Sequence, residues 1–261
     1  MIKLVYIGGY GRSGSTLLES LLTTRADVLA CGEVASCMHD RVDRGCTCGK
    51  SRQDCEVWRP FHKDPGTLRG LSHEALTLAL LDQMPDRYRL MVDSSKTAWG
   101  ALTAPFKLRR KIGPDFYLLH VVRNPRGVCC STAGGAWKRH AVIKSPALRH
   151  LRTALGWWAA NLSCEMFGLL HPSQYQRICY ENLTRAHEEV LAQLFADLLP
   201  GEDAPRRAAE NRHQLYGNQR RYRGFEPSEL REDVRWETEM PAAQQTLVSV
   251  LTWPLRVKYG Y

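Results

Sequence analysis

Residues 4–16, LVYIGGYGRSGST, decide the fold of this 261-residue chain. An apolar run leads into a glycine-rich turn, and a leucine-rich stretch follows it. A buried strand, a glycine turn and a helix start in that order bring backbone amides to one point, where they bind phosphate-like anions. Ser15 stands where the loop of a nucleotide-triphosphate enzyme carries its lysine. The alternative is an ordinary glycine turn that only caps a helix.

Short β-rich runs alternate with longer helical patterns along the rest of the chain. Nearly continuous apolar strands suit a parallel sheet that is buried on both faces. The alternation predicts an α/β fold, P-loop-like and three-layered, with a central parallel sheet of about five strands and ligands at their carboxyl ends. The predicted strands are 3–7, 28–30, 88–92, 116–122 and 175–180, and the clearest helices are 16–23, 72–81, 145–170 and 184–199.

Two polar segments interrupt this alternation. The first, near 37–64, is rich in cysteine, and the second, near 201–241, is rich in arginine. The length of the chain suits one substantial domain. We therefore expect a single domain over residues 1–261, in which both segments are lid-like insertions over the site.

Composition limits the class of protein. The hydrophobic fraction of 44% predicts a packed core, and the net charge of +9 indicates an anionic partner without naming it. The chain has no long basic tail and no aromatic-basic pattern of an RNA-binding module, so nucleic acid is not the expected partner. No apolar run approaches the ~20 residues of a membrane span. Because Met1 runs straight into the first strand, we expect a cytoplasmic protein whose nine cysteines stay mostly reduced.

The first loop carries several anion-binding groups. Its glycines let the backbone approach an anion, its hydroxyl residues add donors, and Arg12 adds a planar cation suited to oxyanions. The stretch Arg-Ser-Gly-Ser-Thr-Leu-Leu resembles the 5′-phosphosulfate loop of sulfotransferases that use 3′-phosphoadenosine-5′-phosphosulfate (PAPS). The resemblance implies that the donor is bound by Arg12, Ser13, Gly14, Ser15 and Thr16.

A second segment follows the predicted strand 116–122. Asn124 suits an N-cap and Pro125 a first helical turn, so a simple strand-to-helix cap is one interpretation. The segment also resembles the 3′-phosphate element of the same sulfotransferases, which implies that Arg123 and Ser131 bind the 3′-phosphate. Two anion sites for one nucleotide distinguish PAPS from ATP.

The candidate general base is Glu33, which follows the second predicted strand. Gly-Glu at this point resembles the catalytic position of the tyrosylprotein and bacterial carbohydrate branch of the family. The alternative is a first-turn glutamate that serves a helix dipole. The steroid and phenol enzymes of the family use a histidine instead, and no histidine here matches their motif. His39, one or two turns past Glu33, is the reserve candidate for the base.

The leaving group of a sulfuryl transfer needs positive charge. Asp93-Ser94-Ser95-Lys96 resembles a segment of bacterial sulfotransferases, and the family places a lysine near the transferring group. The resemblance implies catalytic roles for Lys96 and Arg12, although a surface lysine is the alternative for Lys96. A later segment, 217–220, resembles the family's segment that closes over the nucleotide. The resemblance implies that Arg220 or Arg221 reaches the 3′-phosphate, and a solvated arginine cluster is the alternative.

The cysteine-rich segment leaves three possibilities open. Cys46, Cys48 and Cys55, with Cys31 and Cys37 nearby, could bind zinc, stay reduced or form a disulfide. The spacing lacks the paired C-x-x-C pattern of a zinc site. We therefore expect a cysteine-stabilised lid, and the resemblance to sulfotransferases implies an active site that uses no metal for its chemistry.

The sequence thus predicts an enzyme that moves a sulfuryl group from PAPS to a hydroxyl of a small-molecule or carbohydrate acceptor, releasing adenosine 3′,5′-bisphosphate. A P-loop kinase or NTPase is the alternative, and it would need magnesium and a triphosphate. A non-catalytic nucleotide-binding protein would keep the loops but need neither Glu33 nor Lys96.

Overall fold

The computed structural model describes residues 3–39, 45–61, 70–133, 145–201, 211–217, 222 and 230–261. Within these ranges, five strands form one sheet in the order β2-β3-β1-β4-β5, and every neighbouring pair is parallel. This confirms the predicted α/β class. The strands are β1 Leu4–Gly8, β2 Val28–Ala30, β3 Leu90–Asp93, β4 Phe116–Val122 and β5 Tyr175–Cys179.

Helices lie between and after the strands. They are α1 Ser15–Leu22, α2 His73–Asp82, α3 Ala104–Ile112, α4 Pro125–Ala133, α5 Pro146–Leu170, α6 Tyr180–Arg185, α7 His187–Leu198, α8 Trp236–Glu239, α9 Ala242–Leu251 and α10 Trp253–Lys258. None of the helices in the described ranges is both long and apolar enough to cross a bilayer.

The central strand separates two hydrophobic cores. Side chains of β1 alternate, so that Leu4 and Tyr6 enter one core while Val5 and Ile7 enter the other. Helices α2, α3 and α5 contribute to the first core, and α1 and α7 contribute to the second. The sheet is therefore covered on both faces, which explains its nearly continuous apolar strands.

The strand order brings the candidate loops to one edge. β1 lies between β3 and β4, and the direction of winding reverses between β1 and β4. Ligands of such sheets bind outside the carboxyl ends of the strands at this reversal. The loops that follow β1, β2, β3 and β4 carry Arg12, Glu33, Lys96 and Arg123 respectively.

Several predicted boundaries differ from the structure by one or two residues, and one predicted helix is divided in two. The pattern over 184–199 predicts one helix, but the chain forms α6 and then α7, because Ala186 leaves helical geometry at φ −137° and ψ 47°. Ser145 begins α5 as an N-cap, its side chain accepting a hydrogen bond from the amide of Leu148.

The second polar segment is described in part. Residues 211–213 run beside β2. The amide of Ala30 donates to the carbonyl oxygen of Asn211 at 3.0 Å, and the amide of His213 donates to the carbonyl oxygen of Ala30 at 2.8 Å. The single-domain boundary and the lids near 37–64 and 201–241 remain predictions.

Candidate active site

The loop between β1 and α1 turns sharply before the helix. Gly14 has φ 104°, and a Cβ there would lie 2.7 Å from the ring of Tyr180, so both conformation and space require glycine. Arg12 has φ 71°, which a non-glycine residue rarely adopts, and such backbone is concentrated at functional sites. Ser13 Oγ is buried and has no hydrogen-bond partner among the described residues. A buried hydroxyl of this kind suits an acceptor group brought by a ligand.

Arg12 joins the first loop to helix α4. Its Nε donates a 2.9 Å hydrogen bond to the Oγ of Ser131, which is buried in the second turn of α4. Asn124 caps this helix, because its Oδ1 accepts a 3.0 Å hydrogen bond from the amide of Arg126. The two segments that resemble the two phosphate sites are therefore in direct contact.

Arg123 is held from three sides. Its Nη1 donates to the carbonyl oxygen of Arg12 at 3.1 Å, and its Nη2 donates to the carbonyl oxygen of Asp233 at 2.8 Å. The same Nη2 lies 3.1 Å from the Oδ2 of Asp233. The guanidinium carbon lies 4.4 Å from the centre of the Tyr180 ring, a cation–π distance. Hydrogen bonds from Arg235 and Arg123 lower the pKa of Asp233, so this residue is a carboxylate.

Glu33 and Lys96 form an ion pair between Oε1 and Nζ. They follow β2 and β3, which are neighbouring strands, and so the sheet brings them together. The side chains are 24% and 15% exposed respectively, so both remain accessible at the sheet edge. Ser36 Oγ donates to the Oε2 of Glu33 at 3.3 Å.

The backbone around Glu33 is fixed by the segment 214–216. Gly32 has φ 72°, and a Cβ there would lie 2.4 Å from the carbonyl oxygen of Tyr216. The amide of Glu33 donates to that same oxygen at 3.1 Å. Only glycine at position 32 permits this close approach, which explains the Gly-Glu pair.

A buried carboxyl group lies behind this turn. Glu19 Oε1 accepts a hydrogen bond from the amide of Gly32 at 2.8 Å, and its Oε2 accepts one from Ser94 Oγ at 2.8 Å. Burial raises the pKa of Glu19 to about 7, although hydrogen bonds from Ser94, Gly32 and Gln214 act against this rise. Glu19 thereby ties α1 to the loops after β2 and β3.

Lys96 is positioned by its backbone. It has φ 69°, and its carbonyl oxygen accepts a 2.6 Å hydrogen bond from the hydroxyl of Tyr6. Asp93 closes the preceding turn by accepting from the amide of Ser95 at 2.9 Å, and its other oxygen lies 2.6 Å from His73 Nε2. Burial opposes protonation of His73, but the carboxylate of Asp93 outweighs it and raises the His73 pKa.

The structure describes some of the remaining candidate residues, together with Arg126 of the second segment, but not others. Ser15 and Thr16 begin α1, where backbone amides point out of the helix. Arg126 donates to Ser249 Oγ at 2.8 Å and lies over the ring of Trp236, so it belongs to the packing of α4. Arg220 lies outside the described residues, as does the side chain of His39.

Sequence reasoning missed the side chains that surround Arg123. The Tyr180 ring contacts Arg123, and Glu181 Oε1 accepts a hydrogen bond from the amide of Asn124 at 3.1 Å. The position of this pair directly after β5 could have indicated this, because β5 is next to β4. Asp233 carries no local signal in the sequence.

The fold and the paired loops define the class of protein, a P-loop-like α/β chain in which two candidate anion-binding segments are in contact. A profile of the sulfotransferase family matches residues 5–198, which include the strands and helices from β1 to α7. The chain therefore belongs to the sulfotransferase family. Comparison with curated protein sequences gave no match.

Several solved structures are similar to this chain in fold, among them the following three sulfotransferases. The sulfotransferase domain from the curacin biosynthetic pathway has a TM-score of 0.62 at 18% identity, covering 96% of this chain and 97% of that one. The sulfotransferase domain from the olefin synthase of Synechococcus PCC 7002 has a TM-score of 0.59 at 16% identity, covering 100% and 95%. A sulfotransferase from Alicyclobacillus acidocaldarius has a TM-score of 0.51 at 14% identity, covering 98% and 96%.

Proposed function

We propose that this protein transfers a sulfuryl group from PAPS to a hydroxyl of a small-molecule or carbohydrate acceptor. The hydrogen bond between Arg12 and Ser131 carries the proposal. It joins two cationic segments that follow the adjacent central strands β1 and β4. A nucleotide with anionic groups on both its 5′ and 3′ sides needs two such segments, whereas a nucleoside triphosphate needs one.

The first loop fits the 5′-phosphosulfate group. Ser13 Oγ is buried without a partner among the described residues, and a donor oxygen would satisfy it. Arg12 adds a charged donor, and the backbone amides of Gly14, Ser15 and Thr16 lie at the start of α1. These five residues together would hold the 5′ end of the donor.

The second segment fits the 3′-phosphate. Arg123 and Ser131 are the residues proposed to bind this phosphate. Arg220, which lies outside the described residues, is proposed as a third. Asp233 now accepts from Arg123 Nη2. A bound phosphate would compete with the Asp233 carboxylate for the same guanidinium, because both are oxyanions.

PAPS supplies a sulfuryl group on a phosphate leaving group, so transfer forms an S–O bond to the acceptor, breaks the S–O bond to phosphate and releases adenosine 3′,5′-bisphosphate. Glu33 accepts the proton of the acceptor hydroxyl as general base. Lys96 and Arg12 stabilise the negative charge that develops on the leaving oxygen. The ion pair of Glu33 with Lys96 keeps the base and a cation at the same sheet edge.

The positive charge of this site comes from side chains. P-loop kinases and NTPases use Mg²⁺ and a P-loop lysine to neutralise a triphosphate. Ser15 replaces that lysine, and the match to the sulfotransferase family does not favour the kinase alternative. We therefore propose that the transfer itself uses no metal ion.

Transfer of ³⁵S from labelled PAPS tests the function directly. The full chain is incubated with pooled phenols, sugars and cell extract, and labelled products are separated and identified by mass spectrometry. We expect a labelled acceptor that forms with the wild type but not with Glu33→Gln. Transfer from [γ-³²P]ATP with Mg²⁺, and none from PAPS, would overturn the proposal.

A further inference from the structure

Three cysteines and a histidine converge at the side of the sheet next to β2. They are Cys46, Cys48, Cys55 and His213, and their potential ligand atoms all lie within 4.8 Å of one another. Cys48 is partly exposed and the other three residues are buried. The sequence does not indicate this set, because 158 positions separate Cys55 from His213.

The distances suit a single tetrahedral ion. Cys55 Sγ lies 3.6 Å from Cys46 Sγ and 3.2 Å from His213 Nδ1. Zn–S bonds of about 2.3 Å and Zn–N bonds of about 2.0 Å at tetrahedral angles place sulfur atoms roughly 3.8 Å apart, and sulfur and nitrogen roughly 3.5 Å apart. The geometry points to a structural Zn²⁺ site with the ligands Cys46, Cys48, Cys55 and His213.

The backbone already holds the ligands in place. The amide of Gly49 donates to the carbonyl of Cys46 at 3.0 Å, which closes a tight turn around Cys48. Thr47 links this turn to the segment 211–217, which carries His213. Its amide donates to the carbonyl oxygen of Gln214 at 3.1 Å, and its hydroxyl donates to the carbonyl oxygen of Arg212 at 2.8 Å.

A hydrogen bond close to Cys55 in the sequence joins its part of the chain to the same segment, 211–217. The indole Nε1 of Trp58, three residues after Cys55, donates to the carbonyl oxygen of His213 at 2.5 Å. Two separate parts of the chain therefore bring the four ligands together.

The ring nitrogen of His213 that faces away from the cysteines, Nε2, has the contacts expected of a metal ligand. The other nitrogen, Nδ1, points at Cys55, and Nε2 lies 3.3 Å from a carboxylate oxygen of Glu56 and 3.4 Å from the hydroxyl of Tyr88. Histidines that bind metal through one nitrogen commonly donate from the other to a carboxylate, which fixes the ring and its tautomer. Glu56 provides that acceptor here.

The donor set selects the metal and its role. Three thiolates and one imidazole favour Zn²⁺ over Mg²⁺ or Ca²⁺, which prefer oxygen ligands. The three thiols bind as thiolates and release their protons to solvent. Four protein ligands leave no open position, so the ion is structural and has no part in the proposed sulfuryl transfer.

The zinc site would stabilise the backbone that lies next to Glu33. His213 lies three residues before Tyr216, whose carbonyl oxygen accepts from the amide of Glu33 at 3.1 Å. The ion would fasten the 45–59 segment and the 211–217 segment to each other and to β2. Loss of the ion should therefore lower the melting temperature and, secondarily, disturb Glu33.

Elemental analysis of the wild-type chain tests the site. The chain is purified from zinc-supplemented cells under a phosphine reductant without chelator, dialysed extensively and measured by plasma mass spectrometry. We expect about one zinc per chain, a lower melting temperature after a strong zinc chelator, and recovery with Zn²⁺ but not with Mg²⁺. Co²⁺ substitution should give the visible absorption of a tetrahedral thiolate complex.

Variants distinguish this site from incidental binding. Cys46→Ser, Cys55→Ser and His213→Ala should retain less than about a tenth of the zinc, while His213→Cys should restore it as a four-thiolate site. Cys130→Ser, a control on α4 outside the cluster, should bind like the wild type. Wild-type protein that holds no zinc, or zinc retained equally by Cys46→Ser, would overturn the proposal whether or not sulfuryl transfer is observed.

Discussion

Arg12 Nε donates a 2.9 Å hydrogen bond to Ser131 Oγ, although 119 positions separate the two residues. Arg12 lies in the loop after β1 and Ser131 lies in α4, the helix after β4, and β1 and β4 are adjacent central strands. The local sequence predicts anion binding for each segment, and the sheet order brings the two segments into contact.

Glu33→Gln should abolish proton acceptance and leave nucleotide binding intact. The amide is similar in size but is a far weaker base, so kcat should fall by about 10²- to 10⁴-fold. Steady-state kinetics with PAPS and titration calorimetry with adenosine 3′,5′-bisphosphate measure the two effects separately. Glu189→Gln, on an exposed position of α7, is the matched control and should behave as wild type. A kcat within a few-fold of wild type would remove Glu33 from the role of base.

Ser131→Ala and Arg123→Lys should weaken binding of the 3′-phosphate selectively. Loss of a hydrogen bond to a charged group should reduce affinity for adenosine 3′,5′-bisphosphate by about 10- to 100-fold. Affinity for adenosine 5′-monophosphate should change little, because that ligand lacks the 3′ group. Arg126→Lys is the control, since Arg126 binds Ser249. Equal weakening of both nucleotides would mean that these residues only shape the first loop.

Asp233→Asn should strengthen binding of adenosine 3′,5′-bisphosphate. The Asp233 carboxylate lies 3.1 Å from Arg123 Nη2 and competes with an incoming phosphate. Removing its charge should raise affinity by about tenfold at low ionic strength, and the gain should shrink as salt is added. Asp197→Asn, on an exposed position of α7, is the control. Weaker binding by Asp233→Asn would show that Asp233 positions Arg123 and does not compete for it.

Glu19 should make the stability of the chain depend on pH. Its pKa in the folded chain is raised from 4.5 to about 7, so the folded state binds the proton more tightly than the unfolded state. This contribution is fully present below pH 4.5 and is lost as pH rises through 7. As pH rises over this window, the free energy of unfolding of Glu19→Gln should therefore increase relative to that of wild type, by roughly 3 kcal/mol at most.

Urea unfolding at about pH 5 and about pH 8 measures this difference directly. Glu189→Gln again serves as the control. Subtracting wild type from Glu19→Gln cancels groups that titrate in both chains, including His73. Parallel stability curves for the two chains would contradict the assignment of the raised pKa to Glu19.

Much of the fold was predictable because its signals are local. β2 and β4 begin and end where their apolar runs predict, and Asn124-Pro125 begins α4 as an N-cap and first turn. Glycines at strand ends and hydroxyl residues before helices have direct steric and hydrogen-bonding causes. These signals need no knowledge of distant residues.

The partners of the site residues could not be predicted in the same way. Asp233 reaches Arg123 and Tyr216 reaches Glu33 only after the chain has folded. His213 likewise completes the cysteine cluster from 158 positions away, so the cysteine spacing alone indicates an incomplete zinc motif. Arg220 lies outside the described residues and stays a prediction.

Titration calorimetry of the wild-type chain tests the central claim most directly. Adenosine 3′,5′-bisphosphate, adenosine 5′-monophosphate and ATP with Mg²⁺ are compared under identical salt. The contact of Arg12 with Ser131, and Arg123 beside it, predicts that the bisphosphate binds at least about 100-fold more tightly than the monophosphate and does so without Mg²⁺. Tighter binding of ATP with Mg²⁺ than of the bisphosphate would contradict the account.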